Sequence, residues 1–251
     1  EGGTVTFNTV PVTVELRDNA GKVLDGGTVS FYGSGWRSLG KANTIEQLLP
    51  GEYQFQMTYN YTSVTQTAQI GPDGGTVTFR TIAVVVELVD HEKKKLDGGT
   101  VSFYSSGWRS LGKANEKHQM LPENKDFAIK MTYNNMSQEL TMNPTKDSKL
   151  RFQTGLVDIR LAGGSVSYYA SGYRNHMQPT EYLPVEMDFR FSGKGMPEVS
   201  YKLTPVAGGS IVHNVAYVRV MDSKGAGLAG AGIEYSDGTS HDAGTTGANG
   251  V

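Results

Sequence analysis

The sequence predicts an all-β fold, a tandem array of small β-sandwich units, on three observations. First, residues 12–50 and 84–122 are nearly the same stretch written twice. LDGGTVSFY at 24–32 returns at 96–104, and SGWRSLGKAN at 34–43 returns at 106–115. The register is 72 residues without a gap, with 28 identities over those 39 positions, and a fixed period of this kind marks a string of like units. Second, apolar and polar residues alternate with period two where strands are expected. Third, turn residues punctuate the chain at short intervals and no segment sustains a 3.6-residue period, so helix is nearly absent.

Each element follows from local chemistry. In residues 12–17, Val12, Val14 and Leu16 fall on one face and Thr13, Glu15 and Arg17 on the other, a half-buried strand. Asp18-Asn19-Ala20-Gly21 is a turn, because Asp and Asn cap their own backbone and Gly takes positive φ. Residues 28–32 alternate again, with Val29 and Phe31 inward and Tyr32 outward. Leu48-Leu49-Pro50-Gly51 turns the chain into an alternating strand over 53–59, and 64–70 and 76–79 complete the unit. Four residues, Arg80 to Ala83, separate Phe79 from the next unit's first strand, too few for free swivelling.

Further copies drift. Residues 157–161 match 84–88 at an offset of 73, and GGSVSYY at 163–169 matches GGTVSFY at 98–104 at an offset of 65, so the first turn of this copy is eight residues shorter. A fourth unit opens near Val215 and stops at Val251, while GGTVTF at 2–7 repeats 74–79. The expected division is a closing strand of a preceding unit at 1–10, sandwiches at 11–82, 83–154 and 155–214, and an incomplete repeat at 215–251. The whole reads as an excerpt from a longer array, with the strand at 1–10 free to pair with another copy.

Composition narrows the function. Units of this size gain from neighbours or staples, and with no cysteine the staple is not a disulfide. The net charge of −2 gives no nucleic-acid footprint, and Lys93-Lys94-Lys95 is a short solvated turn. No apolar run is long enough to span a membrane. A catalytic site needs one singular constellation, whereas here the most distinctive residues recur. There is no G-x-S-x-G, no H-E-x-x-H and no His pair at ligand spacing. The segment is therefore expected to be no enzyme and to need no cofactor.

The turn pattern resembles a known group. Unit four carries Asp222-Ser223-Lys224-Gly225-Ala226-Gly227-Leu228-Ala229-Gly230 and then Gly244-Thr245-Thr246-Gly247-Ala248-Asn249-Gly250, and unit one carries Leu49-Pro50-Gly51-Glu52-Tyr53. This is similar to the transthyretin-like, Cna-B-type and carboxypeptidase-regulatory-like sandwiches of bacterial surface proteins. The resemblance implies an Ig-like or transthyretin-like sandwich and a stalk, shaft or adhesin at the cell surface or outside the cell. Some such domains carry a Lys–Asn isopeptide bond from an inward lysine on the first strand. Val, Val and Leu stand inward here, so none is expected.

The candidate site is a repeated aromatic loop. Tyr32, Trp36 and Arg37 recur as Tyr104, Trp108 and Arg109 and as Tyr169, Tyr173 and Arg174. Such a set can stack on sugar rings or contact a partner. The preferred reading is that it packs over its own sandwich edge or against the neighbouring unit. The competing functions are thus a multivalent glycan binder and an accessory segment of a large secreted enzyme. Asn60-Tyr61-Thr62 and Asn135-Met136-Ser137 fit the N-glycosylation pattern. Acidic turns such as Asp18/Asp25, Asp90/Asp97 and Asp237/Asp242 lack the spacing of a calcium loop. Gly225-x-Gly227-x-x-Gly230 matches a dinucleotide fingerprint, but a strand follows it rather than a helix, which makes it a hairpin.

Overall fold

A computed structural model describes residues 3–193, 198–236 and 238–251; Asp237 of the acidic-turn set lies outside them. The described residues are all β, with no helix. They pack as two compact units. One takes the chain through Leu88 together with Lys95–Thr132 and Glu139–Phe152; the other takes Val89–Lys94, Tyr133–Gln138 and Gln153–Val251.

The first sandwich contains β1 (Val10–Arg17), β2 (Thr28–Tyr32), β3 (Trp36–Lys41), β4 (Ile45–Leu48), β5 (Gly51–Tyr59), β6 (Thr62–Ile70) and β7 (Gly75–Arg80). They form a three-stranded sheet ordered β4-β1-β7 and a four-stranded sheet ordered β3-β2-β5-β6. The period-two pattern of β1 appears as burial, with Val12, Val14 and Leu16 at 4 % exposure or less. They meet Val29, Phe55, Met57, Ile70, Val77 and Phe79 between the sheets. First and last strands lie side by side and parallel, Val12 opposite Gly75 and Arg17 opposite Arg80.

The same order recurs in β8 (Ile82–Val89), β9 (Thr100–Tyr104), β10 (Trp108–Lys113), β11 (Lys117–Met120), β12 (Phe127–Tyr133), β13 (Met136–Met142) and β14 (Lys149–Gln153), with sheets β11-β8-β14 and β10-β9-β12-β13. It recurs again in β15 (Gly155–Leu161), β16 (Gly164–Tyr169), β17 (Tyr173–Asn175), β18 (Thr180–Tyr182), β19 (Met187–Gly193), β20 (Val199–Leu203) and β21 (Ser210–Val215), with sheets β18-β15-β21 and β17-β16-β19-β20. Beyond them stands the hairpin of β22 (Gly232–Ser236) and β23 (Ser240–Thr245).

Three details differ from the sequence reading. The SGWRSLGKAN stretch is mostly strand, β3 and β10, rather than a loop. A bulge hid it: the register shifts at Leu39 and Leu111, beside Gly40 and Gly112 at φ 96° and 128°, and breaks the alternation. The linkers are shorter than expected, since β7 ends at Arg80 and β8 begins at Ile82, leaving Thr81 alone between them. Residues 3–9 form no strand. Val5 and Phe7 are each 75 % exposed, although their sequence copies in β7, Val77 and Phe79, are buried. The difference is the presence of β1 as a pairing partner for β7.

Candidate functional site

Each four-stranded sheet carries the expected aromatic residues at the end of its first hairpin. Trp36 stands directly across from Tyr32, Trp108 from Tyr104 and Tyr173 from Tyr169. The rings meet edge to face with centroids 5.6, 5.6 and 5.4 Å apart. All six are exposed, from 38 % at Trp108 to 52 % at Tyr104 and Tyr169. These are cross-strand aromatic pairs on the outer face, and they form a ledge on each sandwich.

The arginines are not part of the ledges. Arg37 and Arg109 lie opposite Phe31 and Phe103, one position along from the tryptophans, and successive residues of a strand face opposite ways. Arg109 instead places its guanidinium 4.4 Å from the centre of the Tyr61 ring. Arg174 donates from Nε to the Ala170 carbonyl at 3.4 Å. The cations over the ledge rings are ones the sequence reading missed. Lys130 Nζ sits 3.6 Å from the centre of Trp108, and Arg190 sits 3.4 Å from that of Tyr173. Both lie on the third strand of their sheet, far from the ring in sequence, so local spacing gave no signal for them.

Within the first unit, the turn between β5 and β6 meets the second sandwich. Asn60 and Tyr61 both take positive φ, 46° and 61°, as a two-residue hairpin turn requires. The Tyr61 carbonyl accepts from Ser105 Oγ at 2.9 Å, and its ring carries Arg109. Gln119 is the hub. Thr81 Oγ1 donates to its Oε1 at 2.5 Å, its Nε2 donates to Asn19 Oδ1 at 3.2 Å, and its carbonyl accepts from Asn60 Nδ2 at 3.3 Å. Leu121 donates from its backbone to Thr62 Oγ1 at 3.2 Å and is fully buried in the first sandwich's own core cluster. The backbone N–H of Ser63 donates to the Glu123 carboxylate.

The second unit repeats this clasp with titratable residues. Glu181 stands where Gln119 stood, His91 where Asn19 stood, and Thr154 where Thr81 stood. Asn134 Nδ2 donates to the Glu181 carbonyl at 2.9 Å. The Glu181 carboxylate pairs with His91 Nδ1 and accepts from Thr154 Oγ1. The nearby carboxylate of Asp90 brings three oxygen and nitrogen ligand atoms within 4.8 Å of one another. Spacing could not reveal this group, since Glu181 is 90 residues from His91. Its members are satisfied by the contact of His91 with the Glu181 carboxylate and by a turn cap, Asp90 Oδ1 accepting from Lys94 N at 2.8 Å.

The remaining candidates resolve into turn chemistry or burial. Asp18, Asp90 and Asp222 each accept from backbone N–H groups two or four residues on, at 2.8–2.9 Å, which occupies the acidic turns. The 225–230 glycines precede the β22–β23 hairpin, as expected. Asn60 uses its amide in the clasp; its structural counterpart is Asn134, so the Asn135 glycosylation pattern is offset by one residue. His176 is 7 % exposed, accepts from the Ile159 N–H at Nε2 (3.4 Å) and faces the Tyr182 hydroxyl with Nδ1 (2.9 Å). Burial pushes its imidazole below the ordinary value, offset in part by Asp158, and burial pushes the Tyr182 phenol up. An apolar cavity of about 400 Å³ is lined by Ile159, Phe191, Tyr201 and His213 of the third sandwich and by Tyr217 and Val251 beyond it. It brings together no acid–base pair.

No family model matches the chain, and no curated protein matches it in sequence. Among solved structures it is similar to the Bacillus anthracis TIE protein, at 12 % identity and TM-score 0.23, covering 83 % of this chain and 50 % of that one. The chain thus spans about half the length of that protein. It is also similar to a streptococcal ancillary pilin (10 % identity, TM-score 0.25, 83 % and 98 % covered) and to the major pilin subunit of Bacillus cereus (10 %, 0.21, 83 % and 99 %). No helix among the described residues is long and apolar enough to cross a membrane.

Proposed function

We propose that this segment is a structural shaft or stalk in an exported microbial surface protein, non-catalytic, with its repeats at 11–82, 83–154 and 155–214 acting as successive spacers. The observation that carries this reading is the linker. A single threonine, Thr81 or Thr154, joins successive sandwiches, is at most 2 % exposed, and bonds to a clasp residue from the following sandwich. A binder displayed on flexible linkers has no need of such fixation; a spacer does. Residues 3–7 repeat the sequence of β7 while exposing Val5 and Phe7, which supports reading them as a closing strand for another sandwich. The three ledges differ in what covers their rings, which weighs against binding by three equal copies.

Small-angle scattering on the intact chain tests the reading. The profile should fit one fixed arrangement of the first two sandwiches. Replacing Gln119 and Leu121 by Ala should broaden it into a distribution. A native profile that already requires free rotation about Thr81 would remove the basis for a shaft.

A further inference from the structure

The ledges share a register but not an environment. Lys130, which covers Trp108, lies opposite Ser102 and is held by Glu139 at 3.2 Å. Arg190, which covers Tyr173, lies opposite Ser167 and is held by Glu198 at 3.0 Å. The matching position in the first sandwich lies opposite Ser30 and is Gln56. No cation–ring contact is found at Tyr32 or Trp36 among the described residues, and both rings are 47 % exposed. The strand register places Gln54 beside Tyr32 and Thr67 beside Gln54, with Ser30, Gln56 and Thr65 in the next row. Two aromatic rings therefore stand on a strip of hydroxyls and amides, with the exposed carboxylate of Glu52, opposite Gln69, in the row beyond Gln54.

We propose that this first ledge binds a neutral polysaccharide, and that in each of the other two a cation blocks one of the two rings, Lys130 on Trp108 and Arg190 on Tyr173, while Tyr104 and Tyr169 stay 52 % exposed. A pyranose presents C–H groups that carry slight positive charge to the electron-rich face of an aromatic ring, while its hydroxyls bond to amides and hydroxyls beside it. A protein cation over the ring is attracted to that same face and occupies it. The strip offers no cation to select an anionic polymer, and Glu52 beside it would repel one. The apolar surface is two rings, too little for a protein interface, which needs a fully buried apolar centre of several residues. This inference is independent of the shaft reading, since a spacer with or without rigid joints can carry one sugar-binding face.

Affinity electrophoresis of the intact chain in gels containing soluble β-glucan, xylan or mannan tests it. At least one of the three should retard the native chain. Trp36→Ala should weaken that retardation at least tenfold, and Gln56→Lys, which copies the cation of the other two ledges without removing a ring, should do the same. Trp108→Ala should leave it unchanged, and Lys130→Gln should strengthen it by freeing the Trp108 ring. Thermal melting of each variant separates lost binding from lost folding. The proposal fails if none of the three polymers retards the chain, if Trp36→Ala migrates as the native chain does, if Trp108→Ala abolishes retardation, or if only an anionic polymer such as hyaluronate is retained.

Discussion

A glycine repeated in all three sandwiches shows how little room the core leaves. A Cβ on Gly99 would stand 2.7 Å from Leu88 Cδ2 and 3.0 Å from both Ala114 Cβ and Met131 Sδ, and Gly27 faces the same trio of positions in Leu16, Met57 and Ala42. Gly164 meets Leu161 and the Ser192 carbonyl. The backbone at Gly27, Gly99 and Gly164 is ordinary, so the constraint is space and not φ. Gly99→Ala should therefore lower stability by about 1–3 kcal/mol through overpacking, read as a fall in the urea midpoint at unchanged slope. Asn43 and Asn115 fix the same corner: each takes positive φ, accepts from the N–H of Leu16 or Leu88 at 3.0 and 3.1 Å, and donates to the carbonyl of Leu24 or Leu96 at 2.9 and 2.8 Å. His176 adds a dependence on pH. Its imidazole is held neutral by burial, so its folded value lies below the unfolded value of about 6.5. Protonation then favours the unfolded chain. Stability is full above about pH 6.5 and declines as pH falls from there toward the folded value. Melting temperatures between pH 8 and 4 should show this decline, and His176→Asn should flatten it; an equal slope in the variant would exclude His176 as its source.

At the scale of elements, the strands with clean alternation were legible, and those with a bulge were not. Val12, Val14 and Leu16 declared β1 because every second residue is apolar, whereas Leu39 sits out of phase in β3 and made a strand look like a loop. The ledge pairs were legible as a repeated triplet, but adjacency in sequence means opposite faces in a strand, so the arginines stand apart from the ledges and Arg109 meets Tyr61 of the preceding sandwich. Lys130 and Arg190 were invisible, as was the pairing of His91 with Glu181, since each depends on strands brought together by the fold. The two clasps offer a comparison inside one molecule: Asn19 with Gln119 in one, His91 with Glu181 in the other. A double-mutant cycle with His91→Asn and Glu181→Gln should give a coupling of about 0.5–3 kcal/mol. The double variant recreates the neutral clasp and should be more stable than the sum of the single losses. Strict additivity in denaturant titrations would show that the contact between His91 and Glu181 adds nothing.

For the molecule as a whole, the clasp ties neighbouring folding units together. Leu121 belongs by sequence to the second sandwich and by packing to the first. Replacing it by Ala should cost about 2–5 kcal/mol, the usual price of emptying a buried leucine site. The loss should fall on the first sandwich as well as on the second. Calorimetry of the native chain should show the first two sandwiches melting together, and Leu121→Ala should separate them into two transitions. Two transitions already present in the native chain would show that Thr81, for all its burial, insulates one sandwich from the next.

The side-by-side parallel run of first and last strands has a mechanical consequence. A chain under tension enters a sandwich at the start of β1 and leaves at the end of β7. Because the two strands point the same way, those points lie at opposite ends of one ladder, with six residue pairs in register between them. The load is then shear, borne by the whole ladder at once, rather than a peeling force that opens one hydrogen bond at a time. β15 and β21 have the same six-pair parallel register. Since the linker is one residue, almost no slack is available before the force reaches the next ladder.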